Sequence, residues 1–155
     1  MGALTKTLYE TDFVEWAERT AELLRQRRFE DVDLEHLIEE VMDLGLRDER
    51  AARSQMRRLL LHLIEVRIQP ERAGTSWRRS VVGARGEIED LIDDSPGIRR
   101  HLEQALQEIY RRAVRQALDE TNLTAQAKTL DIPETCPYTL SELLEVDLNS
   151  LLPPR

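Results

Sequence analysis

The sequence predicts an all-α protein: a single-domain helical bundle of about four main helices with a docked C-terminal strap. Apolar residues recur at helical spacing through most of the 155 residues. Glycine and proline number six each, so long stretches carry no turn signal. Hydrophobic residues make up 41% and charged residues 34%, a balance typical of globular domains. We therefore expect one domain over residues 1–155, with residues 1–10 as a loose N-terminus.

The first helix is predicted from Asp12 to about Arg28. Asp12 is a good N-cap, and Glu15 three residues later completes a capping-box pattern. Six residues recur at helical spacing and define the inner face of this helix: Phe13, Trp16, Ala17, Thr20, Leu23 and Leu24.

The second helix is predicted to begin at an Asp33 cap. At 100° per residue its two faces separate cleanly. The apolar face holds Leu34, Leu37, Ile38, Val41, Met42 and Leu44. The charged face holds Glu35, His36, Glu39, Glu40 and Asp43. We expect the apolar face to pack inward and the charged face to meet solvent, while Gly45 marks a kink, a stop or a weak continuation.

The segment Leu46–Gln69 is apolar over more than half of its circumference, which predicts a central position in the bundle. Pro70 ends it because the residue before a proline avoids the helical region. Thr75 or Ser76 caps a third helix, in which Gly83 and Gly86 indicate close approach of a neighbouring helix.

Ser95-Pro96 starts a fourth helix that runs to about Thr121. The strap at residues 131–145 follows, and Thr139 and Glu142 form a capping box for a short helix within it. Its apolar residues are too many for a free tail. We predict that it docks and buries Tyr138 with the tyrosine hydroxyl hydrogen-bonded.

One candidate metal or acid–base site is the charged face of the second helix, where His36, Glu39, Glu40 and Asp43 share a face. Helical bundles bind metals through Glu-x-x-His pairs on several helices, whereas this chain offers a single His-x-x-Glu. The arrangement therefore favours an ordinary solvated face. No cofactor is expected.

A second candidate is His62, which lies beside Glu65 in a narrow polar stripe. One hypothesis makes it a base or metal ligand acting with Glu39, Glu40 or Asp43. The favoured alternative is a partly buried histidine bonded to a helix neighbour.

The net charge of −8 is unevenly distributed. Residues 1–46 carry 12 acids and 5 bases (−7), residues 47–86 carry 4 and 10 (+6), and residues 87–155 carry 14 and 7 (−7). Four arginines of the middle segment are candidates for nucleic-acid binding: Arg53, Arg57, Arg78 and Arg79. Intramolecular ion pairs with the acidic segments are the favoured alternative, because a negative net charge disfavours nucleic acid and anionic membranes.

The sequence also limits the function class. Cys136 is the single cysteine, which excludes an intramolecular disulfide and fits a reducing compartment. No signal peptide or membrane-length apolar run occurs, so we expect a cytoplasmic protein. No nucleophile constellation or phosphate loop is visible. We therefore expect a non-enzymatic interaction or regulatory module with a protein partner or a second copy.

A series of short motifs resembles a known family. In order along the chain they are Leu8-Tyr-Glu-Thr-Asp-Phe13-x-x-Trp16, Leu37-Ile-Glu-Glu-Val, Leu44-Gly45, Leu60-Leu-His-Leu63, Gln69-Pro-Glu71, Ser76-Trp77, Ser95-Pro96 and Cys136-Pro-Tyr138. These motifs are similar to those of the bacterial, largely cyanobacterial and proteobacterial, family called domain of unknown function 29. The resemblance implies a compact all-helical protein without an established activity. His36 stands where that family leads us to expect asparagine, which weakens a ligand role for it.

Overall fold

The computed structural model of the protein describes residues 8–151, and it contains no strand within that range. Residues 8–11 are helical, whereas residues 1–7 of the expected loose N-terminus lie outside the described range. The helices that follow are α1 (Phe13–Arg25), α2 (Leu34–Ile68), α3 (Thr75–Asp94), α4 (Gly97–Glu120), α5 (Leu140–Glu145) and α6 (Leu148–Leu151). Short 3-10 turns occupy Phe29–Asp31, Pro70–Arg72 and Thr124–Thr129. Four long helices confirm the predicted all-α fold.

Local signals set the ends of α1. The Asp12 carboxylate accepts a hydrogen bond from the backbone of Glu15 at 3.0 Å, which confirms the predicted N-cap. The helix ends three residues before the predicted Arg28. Arg27 takes a left-handed φ of 57°, which lets the Arg28 N–H reach the Leu23 carbonyl at 2.9 Å and close the helix end.

Helix α2 continues through Gly45 and spans 35 residues. A Cβ atom added at Gly45 would meet nothing within 4 Å, so no neighbour requires glycine there. The same is true of Gly83 and Gly86 in α3. The expected close approach of a helix at those two glycines is therefore wrong.

The chain falls into two compact units, divided between Arg47 and Asp48. The first unit holds the helical residues 8–11, α1 and the first part of α2. The second unit holds the rest of α2 and the helices that follow. The expected single domain over residues 1–155 stays a prediction.

The core of the second unit begins with the C-terminal part of α2, where nine residues are buried: Ala52, Met56, Leu59, Leu60, Leu61, Leu63, Ile64, Glu65 and Val66. Helices α3 and α4 add the buried residues Trp77, Val81, Ala84, Ile88, Ile98, Leu102, Ala105, Leu106, Ile109, Tyr110, Ala113 and Ala117. Buried residues cover several sides of this part of α2, as its sequence pattern predicts.

The strap packs against this core. Leu140, Leu143 and Leu144 are buried in α5, and the predicted capping box forms between Thr139 and Glu142. The Tyr138 hydroxyl donates to the Leu151 carbonyl at 2.9 Å, although the ring is half-buried rather than fully buried. The prediction of a docked strap is confirmed.

Candidate functional site

A stacked tyrosine and histidine form a polar cluster in the first unit. The ring centroids of Tyr9 and His36 lie 3.9 Å apart, with planes inclined by 18°. The Tyr9 hydroxyl donates to Glu40 Oε1 at 2.8 Å, and His36 Nδ1 lies 2.5 Å from Asp33 Oδ2. The hydrogen bond to the Glu40 carboxylate raises the pKa of Tyr9 to about 12. Tyr9 therefore stays a neutral donor at physiological pH.

This cluster changes the interpretation of the charged face of α2. Glu39 and Asp43 are exposed, as expected, but His36 and Glu40 are half-buried. The expectation that this face meets solvent throughout is therefore wrong for those two residues. The sequence does not predict these contacts of Tyr9, because the position of a single aromatic residue before a helix does not indicate which surface it packs on.

Aromatic contacts extend the cluster towards α1. The Tyr9 ring meets the Trp16 ring edge-on with centroids 4.9 Å apart, and Trp16 is only 2% exposed. Edge-to-face pairs of this kind stabilise a fixed ring geometry. Trp16 and Tyr9 therefore hold the His36–Glu40 side of α2 within the first unit.

The apolar face of α2 is uncovered, which overturns the expectation that it packs inward. Leu37 is half-buried, but the other five residues are exposed, at 61% for Leu34, 50% for Ile38, 59% for Val41, 62% for Met42 and 62% for Leu44. Tyr9 packs on the His36 and Glu40 side of the helix instead. Single exposed apolar residues are ordinary, whereas five on one helix face form an exposed apolar patch. We call these five residues the α2 apolar face.

His62 lies in the second unit and is half-buried. Its Nδ1 lies 2.9 Å from Glu65 Oε2, and its backbone carbonyl accepts from Trp77 Nε1 at 2.7 Å. Glu65 is 5% exposed and also accepts from Arg72 at 3.3 Å. Because Glu39, Glu40 and Asp43 belong to the first unit, the catalytic hypothesis that joins them to His62 stays a prediction.

The four candidate nucleic-acid arginines have different surroundings. Arg53 donates to Glu108 Oε2 at 3.0 Å, and Arg78 donates to Asn149 Oδ1 at 2.7 Å. Arg57 and Arg79 are exposed. Arg53 and Arg57 line an open cavity of about 220 Å³ between α2 and α4. The nucleic-acid hypothesis stays a prediction.

Residues 8–151 contain neither a cluster of metal ligands nor a membrane-spanning helix. In that range, no three His, Cys, Asp or Glu side chains are grouped so that they could hold a metal ion. None of the helices described there has both the length and the apolar character needed to cross a bilayer.

Comparison with known proteins identifies the family of this chain. The family model described as domain of unknown function DUF29 matches residues 8–148, which is nearly the whole chain. No curated protein and no solved structure shows significant similarity to it. The match covers the aromatic residues of the first unit, all of α2 and the strap, and the chain therefore belongs to the DUF29 family.

Proposed function

We propose that the chain is a non-enzymatic interaction module of the bacterial cytoplasm, working without a cofactor, whose α2 apolar face binds a basic amphipathic helix of a partner protein. The observation that carries the proposal is the exposure of five large apolar side chains on one helix face. The single cysteine of the chain supports a reducing compartment.

Hydrophobic burial supplies the affinity in this proposal. Each of the five side chains leaves half or more of its surface in water. Covering that surface contributes about 1 kcal/mol per residue, or roughly 5 kcal/mol in all before the entropy of association is subtracted. A helix laid on the face would contact residues spaced three and four apart, as in other complexes where an amphipathic helix is recognised.

Charge determines the kind of partner. Between residues 34 and 46 the helix carries Glu35, Glu39, Glu40 and Asp43 and no lysine or arginine. Across residues 8–47 there are 12 acids and 5 bases, a net charge of −7. A second copy paired through this face would bring carboxylates against carboxylates, which is unfavourable. A helix with lysines or arginines beside its apolar stripe would neutralise them, so a basic partner fits better than self-association.

The test uses a synthetic amphipathic peptide of about 18 residues with leucines on one face and lysines on the other. Fluorescence anisotropy measures its binding to the full chain. Two controls are a peptide of the same composition in scrambled order and one with glutamates in place of lysines. We expect binding of the first peptide only, weakening as salt is added.

Two matched variants locate the surface. Val41 is 59% exposed on the α2 apolar face, and Val82 is 53% exposed on α3. Val41→Glu should weaken peptide binding by tenfold or more, because the complex would bury an unpaired carboxylate. Val82→Glu should leave it unchanged. Equal binding by both variants, or by the scrambled peptide, contradicts the proposal. A dimer in light scattering that Val41→Glu abolishes would identify a second copy as the occupant instead.

A further inference from the structure

The cavity between α2 and α4 has an unusual lining for a chain of net charge −8. Its volume is about 220 Å³, and the residues that line it are Arg50, Arg53, Ser54, Arg57, Ile109 and Arg112. Four of these six residues are arginines and none is acidic. The cavity belongs entirely to the second unit, and its lining includes none of the residues of the α2 apolar face.

Helical spacing brings three of the arginines together. Arg50, Arg53 and Arg57 stand at i, i+3 and i+7, so their side chains project from one side of α2. Arg112 joins them from α4. Like charges at this spacing destabilise a helix unless an opposite charge lies between them.

The neighbouring carboxylates leave part of this positive charge uncompensated. Glu108 pairs with Arg53 and with Arg112, each at 3.0 Å, and Glu49 lies 3.9 Å from Arg53. The hydrogen bond from Arg53 lowers the pKa of Glu108, which keeps that carboxylate ionised. Within the part of the chain that the structure describes, the side chains of Arg50 and Arg57 have no hydrogen bond or ion pair.

We propose that this cavity is an anion site that binds the phosphate groups of a small di- or triphosphate compound. Arginine is suited to phosphate because its planar guanidinium offers paired N–H donors to two oxygens at once. Ile109, which is 2% exposed, forms an apolar part of the cavity wall. The volume falls below that of a pocket for a drug-sized ligand, which fits a phosphate group with the rest of the compound outside.

In the proposed site, Arg50 and Arg57 are the main anion ligands, because neither side chain has to break an ion pair to bind the anion. Arg53 and Arg112 are shared with Glu108, so that carboxylate competes with the ligand. This arrangement predicts opposite effects for two substitutions. Arg57→Gln removes a donor and should weaken binding, whereas Glu108→Gln removes the competitor and should tighten it.

The experiment is isothermal titration calorimetry of the full chain with inorganic pyrophosphate at low salt. Arg57→Gln should weaken binding by about tenfold or more, the loss of one charge-assisted pair. Glu108→Gln should tighten it several-fold. Arg115→Gln, an exposed arginine of α4 outside the cavity lining, is the matched control and should bind like the unsubstituted chain. Circular dichroism verifies that each variant is folded.

A second experiment distinguishes a small phosphate compound from a nucleic acid as the ligand. A single-stranded oligonucleotide presents the same group on a polymer, and pyrophosphate should compete with it if both use the cavity. Binding of pyrophosphate that responds to the three variants as described supports the proposal. Binding of the oligonucleotide without binding of pyrophosphate overturns it in favour of nucleic acid. No binding of either, or equal binding by all variants, also overturns it.

Discussion

A matched pair of leucines in the first unit tests whether the α2 apolar face is uncovered in the free chain. Leu23 on α1 is 7% exposed, and Leu44 on α2 is 62% exposed. Leu23→Ala removes buried methyl groups and leaves a cavity, which costs about 3 kcal/mol of unfolding free energy. This substitution should therefore lower the urea midpoint of the chain clearly.

Leu44→Ala should behave differently. About two-fifths of that side chain is hidden, so the lost burial costs below about 1 kcal/mol. Alanine also has the highest helix propensity, which offsets a few tenths of that loss. We therefore expect the two variants to differ by about 2 kcal/mol or more.

Urea denaturation followed by circular dichroism at 222 nm measures the difference, and both residues report on the same unit. A cost for Leu44→Ala as large as that for Leu23→Ala would show that the α2 apolar face is covered in the free chain. A cost that grows with protein concentration would mean that a second copy covers it.

Three further predictions concern the second unit. Leu143→Ala should cost about 3 kcal/mol and lower the melting temperature, because this strap residue is fully buried. Burial raises the pKa of Tyr110 to about 12. The neutral tyrosine therefore contributes to the free energy of unfolding below pH 10, and this contribution is lost as the pH rises from 10 to 12. In urea titrations over that range, Tyr110→Phe should lose less stability than the unsubstituted chain. Burial also raises the pKa of the Cys136 thiol, so native protein should react with a thiol reagent far more slowly than unfolded protein.

Helical periodicity predicts the second unit well, because its helices bury most of the apolar residues that recur at helical spacing. Leu59, Leu60 and Leu61 lie on different sides of α2 and are all buried. The Thr139 capping box likewise fixed the start of α5, since that signal depends only on residues three apart.

The first unit was predicted less well, for a physical reason. Periodicity states which residues share a face, but it does not state which face has a partner. The stacking of Tyr9 on His36 and its hydrogen bond to Glu40 place a polar side of α2 inside the unit. Both contacts join residues more than 25 positions apart, and no local pattern encodes them.

The sequence predicts only part of the lining of the arginine cavity. Arg53 and Arg57 were candidates because the basic segment is visible in the sequence. Arg112 lies in an acidic segment, and it joins the cavity only when α4 packs beside α2. The pairing of Glu108 with two arginines is likewise a result of that packing.

Carbon-13 methyl NMR of isoleucine shows whether the basic amphipathic peptide binds on the α2 apolar face. Ile38 is the single isoleucine of residues 1–47, it lies on the α2 apolar face, and Ile38→Val assigns its signal. Ile109, in the arginine cavity, serves as the internal reference. On titration with the basic amphipathic peptide, the Ile38 signal should shift and saturate while the Ile109 signal stays in place. An Ile38 signal that does not move while the peptide binds would show that the peptide does not bind on the α2 apolar face.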